Sequence, residues 1–337
     1  MTELRRRRAA AQRLHRPDDA VARDPAALVG ALLAVQAQDV RAARLALRAR
    51  SPALTAADVD AALASGALTI TWLMRGTLHL VATQDAGWLL ALTAPTRVAT
   101  SARRLAQEGV SPAHAERAVS IVAEALAAGA PLSRAQLAAR IAAAGIRTEG
   151  QATPHLLMLA ALRGVAVLGP VDPERRTPLF VAGPPRLRRA PALDRDAALV
   201  RLAERYLAAH APATAEDLAA WSGLPLRDAR AGLSAATAEE RDAPTTLAPR
   251  LLGAFDPYML GWKDRTFAVD PEHARRVHPG GGMLRPVAVT DGCVVATWKR
   301  GARPGTVVLE PLAPLDARTE RALRDDAEDV ARFESSG

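Results

Sequence analysis

Two ten-residue segments, 130–139 and 211–220, begin a helix with nearly the same sequence. They read Ala-Pro-Leu-Ser-Arg-Ala-Gln-Leu-Ala-Ala and Ala-Pro-Ala-Thr-Ala-Glu-Asp-Leu-Ala-Ala. In each, a hydroxyl residue (Ser133 or Thr214) stands three positions before Gln or Asp, which is the spacing of a capping box. The two caps are about 80 residues apart, the length of one small module. The repeat therefore predicts tandem modules that each begin with a helix.

Each cap is followed by the same order of elements, two helices and then extended chain. Behind Ser133 the apolar pattern predicts helices to about residue 144 and over 151–163, then strands over 165–168 and 179–182. Behind Thr214 it predicts helices to about residue 221 and over 226–234, then extended chain from about residue 245. Two helices followed by a hairpin are typical of a winged helix-turn-helix.

The N-terminal third repeats this order without the similarity in sequence. It contains, in chain order, a helix over 26–36, a helix over 40–50 capped by Asp39, a Thr55 cap with Asp58, and a hairpin over 69–82 that turns at Arg75-Gly76. We therefore predict three tandem winged helices, over residues 1–110, 111–190 and 191–250.

Residues 251–337 follow a different pattern. Asp291-Gly292 lies between two alternating apolar runs, which is a strong hairpin signal, and 306–312 adds another strand. Asp316 is placed to cap a helix that runs to about Phe333. We predict a small C-terminal β-barrel or sheet with a terminal helix. The predicted fold class of the whole chain is mainly α with β (α+β).

The composition agrees with helical modules. Hydrophobic residues make up 49% of the 337 residues but aromatic residues only 3%, so the cores have to be built from Ala, Leu and Val. No apolar run approaches the roughly 18 residues that span a bilayer, and the N-terminus lacks the apolar core of a signal peptide. We expect a cytoplasmic protein that does not contact a membrane.

Few side chains are spaced to hold a metal or a cofactor. Cys293 is the single cysteine, which excludes an internal disulfide and a multi-cysteine zinc site. The seven histidines include no pair at i, i+4 beside an acidic residue, and no Gly-Lys-Ser/Thr follows the glycine run 280–282. We predict no metal and no cofactor.

The net charge indicates a polyanionic partner. A formal charge of +8 and a pI near 10.8 suit nucleic acid, because each phosphate that a cation neutralises releases condensed counterions. Charge alone leaves a compositional origin open, since the basic residues are almost all Arg and only Lys263 and Lys299 are lysines.

Gln36 and Gln38 lie where one amphipathic helix should end and the next, capped by Asp39, should begin. Residues two apart point in different directions on a helix but share a face in a short extended link. Both carboxamides would then face one side, as at a binding or catalytic site. The spacing alone also allows two ordinary polar residues at a helix junction.

The first predicted hairpin carries a second group of candidate residues, Trp72, Arg75, Thr77 and His79. Period-two spacing places Thr77 and His79 on one face of the strand. Arg75, at the tip, could contact phosphate if the hairpin reaches a DNA groove or backbone. The alternative is a structural wing in which His79 is a packed or solvated strand residue.

Three segments together resemble a known family, the AlkZ-like winged-helix DNA glycosylases. They are Leu33-Ala-Val-Gln-Ala-Gln-Asp39, Trp72-Leu-Met-Arg-Gly-Thr-Leu-His79 and Leu251-Leu-Gly-Ala-Phe-Asp-Pro-Tyr-Met-Leu-Gly-Trp-Lys-Asp-Arg265. The resemblance implies tandem winged helices and a C-terminal β-barrel, C-shaped around a channel for duplex DNA. It also implies that the Gln-x-Gln motif, Gln36 and Gln38, serves the reaction. The residues that it places against DNA are Trp72, Arg75, Thr77, His79 and Arg265, although Arg265 could equally form a structural pair with Asp264.

Two uncharged amides suit the hydrolysis of a labile glycosidic bond. Cleaving an N-glycosidic bond develops positive charge on the sugar, and most glycosyl-cleaving enzymes meet it with a carboxylate that also activates water. Gln cannot ionise, but its carbonyl can hold a water and lend a partial negative charge. An N-alkylated purine is already cationic and leaves as a neutral base without a general acid. We predict a monofunctional glycosylase in which Gln36 and Gln38 position the water, with Asp39 as a cap.

Two other functions stay open. Winged helices often belong to transcription regulators, but these usually need a dimer that matches two half-sites. Three modules in one chain favour a monomer, without a protein partner, that embraces duplex DNA containing alkylated purines. The second alternative is a protein that binds alkylated DNA without turnover, because the sequence contains no definite catalytic carboxylate.

Overall fold

The computed structural model of the protein describes residues 2–188, 194–237, 246–303 and 305–335. The chain forms two compact units. Unit 1 comprises Met1–Val59 and Leu199–Gly337, and unit 2 comprises Asp60–Ala198. Unit 2 is thus inserted between the two segments of unit 1. The four smaller modules that the sequence predicts, with boundaries at 110, 190 and 250, stay a prediction.

Helices account for more of the described chain than strands do. The α-helices are α1 Thr2–Ala11, α2 Ala20–Arg23, α3 Pro25–Leu32, α4 Val40–Arg48, α5 Ala56–Ala64, α6 Thr83–Gln107, α7 Pro112–Ala127, α8 Arg134–Ala143, α9 Ala152–Leu162, α10 Pro185–Arg188, α11 Arg195–His210, α12 Ala215–Ser222, α13 Leu226–Ala235, α14 Pro257–Leu260, α15 Ala274–Val277 and α16 Ala317–Ser335. The strands are β1 Val35–Gln36, β2 Leu68–Trp72, β3 Leu78–Ala82, β4 Ala166–Val171, β5 Pro178–Ala182, β6 Arg250–Leu252, β7 Val287–Thr290, β8 Cys293–Arg300 and β9 Val307–Pro311. The mixture agrees with the predicted α+β class.

Capping boxes start the two helices that the sequence repeat predicts. Ser133 Oγ accepts a hydrogen bond from the Gln136 backbone amide at 3.3 Å, and Gln136 Oε1 accepts one from the Ser133 amide at 2.8 Å. Thr214 and Asp217 form the same reciprocal pair at 3.2 and 3.0 Å. Both predicted caps are confirmed at the starts of α8 and α12, because every group involved is local in sequence.

Unit 2 is built from antiparallel strands with helices packed against them. Its strands pair in the order β3-β2-β4-β5, and α9 packs against α6, α7 and the strands β2 and β4. Ile70 of β2 pairs with Leu168 of β4, and both side chains are buried. Behind Ser133 come α8, α9 and then the β4–β5 hairpin, which is the order of elements that the sequence predicts.

In unit 1 the C-terminal strands form an antiparallel sheet in the order β6-β7-β8-β9. β7 and β8 meet at the predicted turn, where Asp291 and Gly292 have the positive φ values, 48° and 75°, that such a two-residue turn requires. Among the described residues no pairing joins β9 to β6, so the structure has an open sheet where the sequence predicts a barrel or a sheet. Asp316 caps α16 as predicted, with Oδ1 accepting from the Thr319 amide at 2.8 Å.

The third predicted module has the two helices that the sequence predicts behind Thr214, α12 and α13. The start of the predicted extended chain, near residue 245, lies outside the described residues. The next strand, β6, pairs with β7 of the C-terminal sheet. Leu252, at the end of β6, packs in the same buried cluster as Val287 and Val289. The strand β6 thus belongs to the core of the C-terminal sheet.

No helix in the part of the chain that the structure describes is both long and apolar enough to cross a bilayer. Nor do three or more His, Cys, Asp or Glu side chains come together in these residues as a possible metal site. Cys293 is half-buried and is a free thiol.

Candidate active site

The link between α3 and α4 in unit 1 contains extended chain. Two side chains spaced two residues apart need extended chain to share a face. The sequence predicts a helix to residue 36, but α3 ends at Leu32 because Leu33 adopts a left-handed φ of 67°. Val35 and Gln36 then form the short extended segment β1. The predicted helix end was wrong by four residues, whereas the predicted extended link is confirmed.

Burial alternates along this link with the period of a strand. Val35 and Ala37 are buried, Gln36 is half-buried and Gln38 is exposed. Alternate residues of extended chain point to opposite faces, so this burial agrees with Val35 and Ala37 on a packed face. Neither carboxamide is sealed in the core, and a shared face for the two stays a prediction.

Asp39 closes the link by capping α4. Its Oδ1 accepts hydrogen bonds from the backbone amides of Arg41 at 2.9 Å and Ala42 at 3.2 Å. This is the predicted N-cap, and it fixes the end of the link to the first turn of α4. The Asp39 carboxylate thus serves as a helix cap.

Buried ion pairs hold α4 at its C-terminal end. Arg48 is fully buried and donates to Asp326 Oδ2 at 3.0 Å, Asp329 Oδ2 at 3.0 Å and the Leu251 carbonyl at 2.6 Å. The sequence analysis assigned no role to these residues. Arginines on the apolar face of an amphipathic helix were the signal that could have found them, since a buried charge needs a partner.

A second buried pair follows immediately after α4. Arg50 donates to Asp256 Oδ1 at 2.8 Å and Oδ2 at 2.9 Å, and neither side chain is exposed to solvent. Asp256 Oδ1 also accepts from the Tyr258 amide at 2.9 Å. Asp256 lies in one of the three segments that carried the resemblance, and the structure gives it a structural role. Removing one partner of such a pair is strongly destabilising, because the other charge is left buried.

In unit 2 the predicted hairpin at 69–82 is confirmed. β2 and β3 pair antiparallel, with Trp72 opposite Leu78 and Thr71 opposite His79. A short 3-10 turn joins them, in which Arg75 and Gly76 have φ values of 48° and 81°. Arg75 and Thr77 are half-buried, and Trp72 is half-buried and stacks on Phe180 with ring centroids 6.4 Å apart.

His79 is buried within this hairpin, with only 3% of its surface exposed. Its Nδ1 lies 2.9 Å from the Thr77 carbonyl. Burial, together with the charge of Arg75, lowers the pKa of His79 to about 3. The imidazole is therefore neutral at physiological pH, so Nδ1–H donates to Thr77 and Nε2 is left as an acceptor. The packed strand residue that the sequence left as an alternative fits this environment, and a contact between His79 and DNA stays a prediction.

Arg265, in unit 1, is tied to its own loop. Its Nε donates to the Met259 carbonyl at 2.6 Å, and the side chain is half-buried. Asp264 instead accepts from the Thr266 amide at 2.9 Å and from the Thr266 hydroxyl at 2.6 Å. The Arg265 side chain thus has a structural contact, and its contact with DNA stays a prediction.

Comparison with known proteins identifies the family. The match to the family described as DNA glycosylase AlkZ-like spans residues 29–333. The chain belongs to this family. An interstrand DNA cross-link repair glycosylase of Streptomyces sahachiroi is 30% identical over 335 residues, covering 90% of this chain and 89% of that protein. The solved structure of Streptomyces sahachiroi DNA glycosylase AlkZ is similar with a TM-score of 0.75 and 26% identity, over 98% of this chain and 96% of that one.

The resemblance that three segments carried in the sequence is thus confirmed, and this AlkZ-like protein is a DNA glycosylase. The matched range includes the Gln36–Gln38 link, the β2–β3 hairpin and Arg265. The family match does not show which of these side chains act in catalysis and which contact DNA. Their individual roles follow from chemistry and stay predictions.

Proposed function

We propose that this AlkZ-like glycosylase hydrolyses the N-glycosidic bond of N-alkylated, cationic purines with a water held by Gln36 and Gln38. The observation that supports the proposal is the burial along the link, where Val35 and Ala37 are buried while Gln36 is half-buried and Gln38 is exposed. A pair of carbonyl oxygens on one face can accept both hydrogens of a water and direct its lone pair toward a sugar. The same oxygens stabilise positive charge that develops at the anomeric carbon.

The titratable candidates Asp39 and His79 fit a reaction without acid–base catalysis. Asp39, the carboxylate nearest in sequence, accepts two backbone hydrogen bonds as a cap. His79 is neutral, with a pKa of about 3, and so cannot serve as a general acid at neutral pH. A cationic purine needs neither group, because breaking its bond to the sugar neutralises the leaving base. A site without a general acid or base is therefore sufficient for a lesion whose glycosidic bond breaks easily.

Bulky adducts and interstrand cross-links are included among the proposed substrates. The Streptomyces sahachiroi relative is named as a glycosylase that repairs interstrand cross-links. Gln38 is exposed and Gln36 half-buried, and an open face tolerates a large adduct better than a sealed pocket would. Simple methyl adducts use the same chemistry, so the choice among these lesions has to be measured. Extruding the nucleotide from the duplex would cost a few kcal/mol.

We propose further that the helix–helix–hairpin units act as tandem winged helices that grip duplex DNA, and that one monomer suffices. The +8 charge supports binding to the phosphate backbone. Membership of a glycosylase family argues against the transcription regulator. A protein that binds alkylated DNA without turnover remains as an outcome of the test below.

The test is single-turnover excision from duplexes that carry a defined N-alkylated purine. The Gln36→Ala, Gln38→Ala double variant should be slower by about 100-fold or more, as for other groups that stabilise charge in a transition state. Gln107→Ala is the matched control, because Gln107 is an exposed amide at the end of α6 in unit 2. The product should be an abasic site that breaks only after base or heat. Full activity in the double variant would refute the assignment, and lesion binding without any abasic product would favour the non-catalytic binder.

A further inference from the structure

A surface cleft in unit 1 lies against the first turn of α4, directly beyond the Gln36–Gln38 link. It has a volume of about 610 Å³ and is bordered by α4, the turn between β8 and β9, and the end of α16. The charged side chains that line it are Arg41, Arg300, Arg303 and Glu334. Small residues of the turn, Gly301 and Gly305, leave the space between them open.

The cleft has more positive charge than its single carboxylate can neutralise. Glu334 accepts from Arg41 Nε at 3.0 Å and Nη2 at 3.1 Å, and from both Nη atoms of Arg300. Burial opposes ionisation of this carboxyl, but the hydrogen bonds from Arg300 and Arg41 outweigh burial and lower the pKa of Glu334. One negative charge thus faces three guanidinium groups.

The guanidinium groups keep donors for a second anion. A guanidinium carries five N–H donors, so Arg41 and Arg300 each retain several after binding Glu334. Arg303 is exposed, and no carboxylate in the described part of the chain pairs with it. Glu334 also fixes the direction of two flexible side chains in advance, which reduces the entropy that a ligand would otherwise lose in ordering them. The planar guanidinium groups of these arginines have the donor geometry that binds phosphate oxygens.

We propose that this cleft binds an internucleotide phosphate of the strand whose damaged nucleotide faces Gln38. Arg41 is three residues beyond Gln38, so their Cα atoms are at most about 11 Å apart. Because one strand of duplex DNA advances by about 3.4 Å along the helix axis per nucleotide, the bound phosphate lies within a few nucleotides of the lesion. The inference rests on the proposed role of Gln36 and Gln38, and adds to it the contact that sets the register of the strand.

The test uses the full chain and measures the salt dependence of binding to a fluorescent duplex. Arg303→Gln is the main variant, because this exposed side chain supports no ion pair of the described fold. We expect Arg303→Gln to weaken binding about 5-fold at moderate salt and to lower the slope of log Kd against log salt by about 1. Undamaged and alkylated duplexes should be affected alike, since phosphate contacts position DNA without reading a base. Arg303→Lys should restore the slope.

Arg324→Gln is the matched control for the loss of one positive charge. Arg324 is an exposed residue of α16 and pairs with Glu320 one turn away, outside the cleft. Its salt slope should equal that of the unmodified protein. Equal slopes for Arg303→Gln and Arg324→Gln would overturn the phosphate site. Excision by the double Gln variant is measured on the same duplexes, so a failure of the proposed chemistry and a failure of the phosphate site give different results.

Discussion

Acidification should destabilise unit 1 through one buried histidine, His210. Its ring is fully buried, stacks on Tyr206 with centroids 4.4 Å apart, and lies 5.5 and 5.3 Å from the rings of Trp221 and Trp262. Nδ1 lies 3.1 Å from the Tyr206 carbonyl, and Nε2 has no hydrogen-bond partner in the described structure. This packing leaves no room for solvent around a positive charge.

The size of the effect follows from the difference in pKa between the folded and unfolded states. Burial, more than the nearby charges of Arg50 and Arg8, lowers the pKa of His210 to about 3, whereas the unfolded value is about 6.5. The unfolded chain therefore binds more protons below pH 6.5, so stability falls as the pH falls from 6.5 toward 3. At pH 5 the loss is about 2 kcal/mol, since each pKa unit corresponds to about 1.4 kcal/mol.

Thermal unfolding followed by far-UV circular dichroism at pH 7.5 and 5.0 measures this loss. For a unit of this size, about 2 kcal/mol corresponds to a Tm lower by about 4–8 °C. His210→Phe removes the titrating group, so its Tm should fall less between the two pH values, whatever its stability at pH 7.5. His114→Gln is the control, because His114 is exposed on α7. If His210→Phe lost as much stability as the unmodified protein, the reasoning would be refuted.

Asp256→Ala should lower the free energy of unfolding in urea by about 3–5 kcal/mol, because Arg50 is left buried without its carboxylate. Asp18→Ala, which breaks the exposed pair with Arg23, should have no measurable effect, and equal losses would contradict the distinction. The single-turnover excision rate should change by less than about 3-fold between pH 6 and 8, since neither Gln ionises and His79 stays neutral. A rate that followed a pKa between 6 and 7 would point to an acid or base that the proposed site does not contain.

Features that depend on neighbours in sequence could be predicted from the sequence. The capping boxes at Ser133 and Thr214, the Asp39 cap and the Asp291-Gly292 turn each need only a few adjacent residues. The end of α3 could not be predicted, because Leu at a positive φ is disfavoured locally and is held there by its surroundings. The pairing of β6 with β7 depends on a shared core rather than on a turn.

In the candidate site, too, the short motif could be predicted from the sequence, whereas the contacts that support it could not. The spacing of Gln36 and Gln38 was visible in the sequence, but the ion pairs that hold the adjoining helix join Arg48 to Asp326, 278 residues away, and Arg50 to Asp256, 206 residues away. In the proposed mechanism an amide acts through partial charges whose effect depends on orientation, so a small displacement of the water would cost much of the rate. A carboxylate could tolerate more movement, because a full charge acts over a longer range. The proposed role of Gln36 and Gln38 therefore needs a helix fixed as firmly as α4, and buried pairs that are costly to break provide that support.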